Sequence, residues 1–463
     1  MEFNTFYIPS KLLKKIIFLL SLVSMTALIL MDYDFEYKCI IILPVCYMIS
    51  FILFINKMQL WGIGSIALVV MYAFRMCILP VLCAYGNFYL EPNESIYMEY
   101  FLIAILLMCI ECFIIFATQL HYIKKYQNEI EQLNKYKNMV DNEFMIILFA
   151  IVAFLFYSFI IYTHPGFLLA HYYFLGASED DVALAEMENN VFQNMGPEYY
   201  LTVILDITFR PILSFALVDW LLKKRNKCGI IIAFLIGVFN VVWISDRRII
   251  SLLVGLSCMT QVLINVKNKI TRQLVYISVI ALAIITIYYC FLGEDTPLRI
   301  ARKFQRYFSG PSLTAIGVAV YTNYIQTPIE FFKLLFNDSI LLTGLFGKNE
   351  VKNYVIELCG PAGRSIWTPM FIGAIQYFHI LAPLLLVIVV KYLVYTDYRA
   401  AIACSTLQRM MFNFLTISLS VYMIMYSLEL VYYNMVFIGG LFYLLIFFNS
   451  RLSFVYSRRR RID

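Results

Sequence analysis

Runs of about twenty apolar residues recur along the chain, separated by short polar links, the pattern of helices that each cross ~30 Å of hydrocarbon. It predicts spans over 15–31, 38–55, 61–83, 98–118, 143–162, 199–222, 229–245, 248–265, 272–292, 368–391, 409–428 and 430–449. The expected fold is therefore an all-α polytopic membrane protein with about twelve transmembrane helices in one membrane domain, 1–463. The first run, KLLKKIIFLLSLVSMTALILM, lacks a short apolar core followed by a small-residue cleavage site and reads as a retained span.

Composition agrees, with 62% hydrophobic and only 14% charged residues among 463. The basic residues fix an expected orientation, because Lys and Arg collect on the cytoplasmic side. They fall in alternate links: Lys11, Lys14 and Lys15, then Lys57, then Lys124, Lys125, Lys135 and Lys137 in the 119–142 link. Lys223 to Lys227, Lys267 to Arg272, Arg399 and the terminal RRRRID continue the alternation, so both termini are expected in the cytoplasm. The opposite links are acidic, as in DYDFEY, EPNESIYME and GASEDDVALAEMENN, the last lying in an extracytoplasmic 163–198 loop. Eleven cysteines show neither paired nor metal-ligand spacing. With no His/Cys cluster, DxD motif or glycine-rich phosphate loop, neither a metal nor a cofactor is expected, and no nucleic-acid partner is indicated.

Two places break the outer-side charge rule. WISDRRIISLLVGL sets Arg247 and Arg248 between two apolar runs, and the extracytoplasmic 293–367 link opens with PLRIARKFQRYFSGPS. There Arg299, Arg302, Lys303 and Arg306 share one face of a 3.6-residue helix, while Ile300, Ala301, Phe304, Tyr307 and Phe308 take the other. Pro297 suits the first turn, SGP ends the helix, and another amphipathic helix is expected from Pro311. An interfacial helix touching lipid headgroups would show the same pattern. Inside spans, Arg75 can reach Glu111, and Arg210 follows Asp206 by one turn beside Pro211. These read either as structural ion pairs or as the walls of a polar cavity. Together Arg210, Arg247, Arg248, the 299–306 face and Arg364 converge on one outward-opening depth, which suits a diphosphate held by guanidinium groups.

WISDRRIISLLVGL resembles the Ser-Arg segment that opens an outer-end helix in the O-antigen polymerase and ligase superfamily, with Arg247 at the arginine position. RKFQRYFSGPSLTAIGVAV resembles the YFSGP stretch of Wzy-type oligosaccharide repeat-unit polymerases, and GRSIWTPMFIGAIQYFHILAPLLL is similar to the start of their following helix. The resemblance covers roughly 240–395, and no arginine and glycine stand sixteen positions apart as in some relatives, since Leu263 and Ala315 follow Arg247 and Arg299 at that spacing. It implies a GT-C-like fold in the bacterial cytoplasmic membrane. The implied activity is metal-independent glycosyl transfer between undecaprenyl-diphosphate-linked oligosaccharides, donor and acceptor, with a chain-length regulator and a flippase as further partners.

On that reading the growing glycan leaves its lipid diphosphate for the incoming repeat, and arginines stabilise the charge that gathers on phosphate oxygens. Arg247 and Arg306 are the expected catalytic cations, with Asp246 as base. Arg248, Arg299, Arg302, Arg210, Arg364 and Tyr307 are expected to bind the diphosphates and sugars. Glu294, Asp295 and His379, the last two to three turns into the tenth helix, are the other acid–base groups on that side. A ligase that moves finished glycan to a different acceptor, or a flippase for the same lipid, remains open as an alternative.

Overall fold

The structure, a computed structural model, describes residues 10–33, 35–60, 62–85, 95–133, 144–163, 197–224, 226–242, 248–265, 304, 308–323, 327–336, 369–403, 405–425 and 428–459. Among these the chain is helical, with no strand. Described helices fall within each of the expected spans except 272–292, which lies outside the described residues. Among the described residues five helical stretches are long and apolar enough to cross a bilayer: Leu13–Leu30, Tyr37–Lys57, Ile63–Tyr85, Glu99–Glu129 and Met370–Ile402. Large apolar side chains such as Leu19, Ile29, Leu102, Ile110, Leu155 and Phe159 are exposed, an arrangement that fits hydrocarbon rather than water outside.

The chain divides into two compact units. The first comprises Met1–Lys135, Ile287–Ala401 and Thr416–Met435. Its scaffold begins with α1 (Ser10–Leu30), α2 (Ile42–Leu53), α3 (Ile63–Ala73), a π-turn at Phe74–Ile78, and α4 (Leu79–Tyr85). α5 (Ser95–Leu133) is long because its buried stripe does not stop at the expected end of the span. Phe101, Ala104, Ile105, Met108, Cys112, Ile115, Phe116, Gln119, Ile123 and Tyr126 recur every three or four residues and are all buried, so the helix continues well into the expected 119–142 link.

The expected loop 293–367 contains two described helices. One, Pro328–Phe336, is amphipathic, with Phe331 buried among Tyr377, Phe378 and Tyr432. The other, Pro311–Asn323, differs from the amphipathic expectation: Leu313, Thr314, Ala315, Ile316, Val318, Ala319 and Val320 leave no exposed face along this stretch, and the helix packs on α5. The expected span 368–391 is also interrupted. Met370–Phe378 stops where His379 takes φ 48°, a short tight turn follows to Leu381, and Ala382–Ile402 begins anew with Pro383 in its first turn, where a missing N–H costs nothing. His379 therefore sits at a break and not within a continuous helix.

The second unit comprises Tyr136–Thr286, Ile402–Leu415 and Val436–Asp463. Phe144–Thr163, Pro197–Lys223, Lys227–Val242 and Arg248–Asn265 pack in sequence, joined by Gly439–Arg459 against the first of them. Pro197–Lys223 is continuous through Pro211. Asn240 ties two of these helices, donating to Ser214 Oγ at 3.2 Å.

Candidate functional site

Arg75 is a fully buried cation in the first unit. It lies on the π-turn that joins α3 to α4, a widened turn of a kind found often at functional positions. Its side chain is 0% exposed and Glu111, on α5, is 2% exposed. Nη1 donates to Glu111 Oε2 at 2.9 Å, and the Tyr72 hydroxyl donates to Oε1 at 2.6 Å, so both carboxylate oxygens are engaged. The ion pair expected from sequence is thus present, and Tyr72 joins it as a third member. A cation and an anion taken out of water together in this way persist only when hydrogen bonds satisfy both.

A third partner comes from the far side of the chain. Arg75 Nε donates to the carbonyl of Ser309 at 3.1 Å. Ser309 has φ 48°, the left-handed conformation, and it stands at the centre of the YFSGP stretch, where a turn was expected. The next helix starts at once: Thr314 N donates to the carbonyl of Gly310 at 2.9 Å, and Thr314 Oγ1 reaches the same oxygen at 3.1 Å. Ahead of the turn, Phe308 N donates to the carbonyl of Phe304 at 3.0 Å, a helical bond. Phe304 and Phe308 pack at a tilt against Phe74, with ring centroids 5.6 and 4.4 Å away. The apolar face expected of the 299–308 segment is therefore visible at these two positions, seated on the residue next to Arg75. Arg75 Nη2 and Ser309 Oγ are both buried without a hydrogen-bond partner.

A second polar node holds the other end of α3. Asp397, 1% exposed, accepts from Gly64 N at 3.0 Å, Ser65 N at 2.7 Å and Ser65 Oγ at 2.6 Å. Gly62 is the N-cap of α3, and no side chain of its own helix end caps it. Asp397 supplies that function from Ala382–Ile402, placing negative charge at the positive end of α3 and satisfying two N–H groups that a helix start leaves open. Ser420 Oγ donates to the Gly64 carbonyl at 2.8 Å and Gln119 Nε2 to the Ser65 carbonyl at 3.0 Å. The glycines allow this closeness: a Cβ on Gly62 would run into the Asp397 carboxylate, and one on Gly64 into Thr416. Nothing local in the sequence announces Asp397, since the two N–H groups that it caps are more than 330 residues away and belong to the backbone.

Of the site residues expected from sequence, Asp246, Arg247, Arg299, Arg302, Arg306, Tyr307 and Arg364 lie outside the described residues. Arg248 opens the helix Arg248–Asn265, and its side chain is likewise outside them. Arg210 is half-buried on Pro197–Lys223 in the second unit. Among the described residues no group of three or more His, Cys, Asp or Glu could hold a metal ion. The described cysteines are all free, and Cys46, Cys77, Cys83, Cys109, Cys112 and Cys258 are buried, as small apolar side chains would be. No protein-family model, curated protein or solved structure matches the chain.

Proposed function

We propose that this protein polymerises oligosaccharide repeat units carried on undecaprenyl diphosphate, at the outer face of a bacterial cytoplasmic membrane. On this reading it has about twelve spans in a GT-C-like arrangement, with both termini in the cytoplasm. The growing glycan is transferred from its lipid diphosphate to the incoming lipid-linked repeat. The acceptor hydroxyl attacks the anomeric carbon, the glycosyl–phosphate bond breaks, and the electron pair leaves on the diphosphate. Arg247 and Arg306 neutralise that charge, Asp246 takes the hydroxyl proton, and Arg248, Arg299, Arg302, Arg210, Arg364 and Tyr307 hold the diphosphates and sugars.

One observation carries the reading. The segment that bears the outer cations has a built attachment, with Phe304 and Phe308 on Phe74 and Ser309 on a fully buried arginine. A helix that merely floated its arginines among headgroups would not require a buried cation from another span. Purified protein in detergent, mixed with synthetic undecaprenyl-diphosphate repeat units, tests the proposal. Products spaced by whole repeats are expected, and Arg247→Ala is expected to abolish them while membrane insertion stays normal. Ladder formation at near wild-type rate by Arg247→Ala would refute the assigned centre. Transfer only to a foreign acceptor would indicate a ligase, and translocation without new bonds a flippase.

A further inference from the structure

Arg75 could have formed a two-armed pair with Glu111, and it does not. One nitrogen meets Glu111 Oε2, the other carboxylate oxygen is taken by Tyr72, Nε turns to the Ser309 carbonyl, and Nη2 is left buried without a partner. The guanidinium is thus oriented toward the 304–309 turn at the expense of full pairing with its carboxylate. Phe74, one residue earlier on the same π-turn, grips the same segment through both of its aromatic rings. Arg306 stands two residues from Phe304 and two from Phe308 in sequence.

We infer that Phe74 and Arg75 are positioning residues, which clamp Phe304, Phe308 and Ser309 and so fix the register of the cations at 299–306 against the substrate diphosphate. Glu111 and Tyr72 act one step further back, by holding the guanidinium in the orientation that reaches Ser309. The diphosphate part of this inference rests on the polymerase reading, whereas the clamp itself does not.

Two variants separate the clamp from a plain structural ion pair. Arg75→Lys keeps a positive charge opposite Glu111 but loses the planar guanidinium whose Nε and Nη1 point in fixed directions at the Ser309 carbonyl and Glu111. Phe74→Ala leaves the ion pair untouched and removes the aromatic seat. Each is purified in detergent beside the wild type and given limited trypsin, with cleavage within 299–306 followed by mass spectrometry. The expected result is cleavage there about tenfold faster, with other basic sites unchanged, because local opening governs access. In the glycan assay KM for the lipid-linked repeat is expected to rise about tenfold, with a smaller change in kcat. Wild-type protection together with wild-type KM in a folded variant would overturn the inference, as would uniformly faster cleavage at every basic site. A wild type that makes no glycan would overturn the polymerase reading, while the cleavage pattern would still decide the clamp.

Discussion

Asp397→Asn is the most informative single substitution in the first unit, because it changes almost no volume and acts on the cap of α3 and the Thr416 hydrogen bond beside it. The amide can keep its oxygen where Oδ2 accepts from Ser65 N and Ser65 Oγ, at 2.7 and 2.6 Å. Its NH2 group then replaces Oδ1 and faces the Gly64 N–H, now 3.0 Å from another donor. A buried N–H left without an acceptor costs about 1–3 kcal/mol. Loss of the negative charge at the helix N-terminus adds roughly 0.5–2 kcal/mol in a buried setting, and the surviving bonds are no longer charge-assisted. Burying a neutral amide instead of a carboxylate returns part of this. The net expectation is about 2–4 kcal/mol of destabilisation, a fall in midpoint of about 5–10 °C at the sensitivity of a domain this size. Thermal loss of the monodisperse peak in detergent size-exclusion chromatography measures it. A midpoint within about 1 °C of wild type would refute the view that the carboxylate caps α3 across the unit.

Glu111→Gln should be more damaging, by about 3–5 kcal/mol, since it leaves the buried Arg75 charge uncompensated. Expression and chromatographic yield read that loss, and Arg75→Met combined with Glu111→Leu is expected to recover part of it. Gly64→Ala drives a Cβ into Thr416 and is expected to cost about 1–3 kcal/mol in the same thermal assay. Gly440→Ala, at a helical glycine with nothing within 4 Å of the added carbon, should be neutral or slightly stabilising.

The helices were legible in the sequence because uninterrupted apolar length is a sufficient signal in hydrocarbon. The Arg75–Glu111 pair was legible for the complementary reason, that two opposite charges in adjacent apolar helices have few other ways to be satisfied. The turn at Ser309 was announced by Ser-Gly-Pro. Three features were not readable. Pro311–Asn323 is too short to signal a span and follows a run of cations, so its burial against α5 depends on tertiary packing that the local pattern does not encode. His379 breaks a helix through a left-handed backbone at a residue type that carries no turn signal. Asp397 stood out from its neighbours no more than any acid near a helix end, since its role is set by backbone N–H groups, which every sequence has in equal number.

The Asp397 clasp also bears on the order in which the chain is made. Ser65 leaves the ribosome 332 residues before its acceptor does, so during most of synthesis the start of the third span has no lasting partner for its open amides. The cap on α3 is complete only once Asp397 has been made. A nascent chain halted short of that point would lack the acceptor for the Gly64 and Ser65 N–H groups and carry an unfinished helix start.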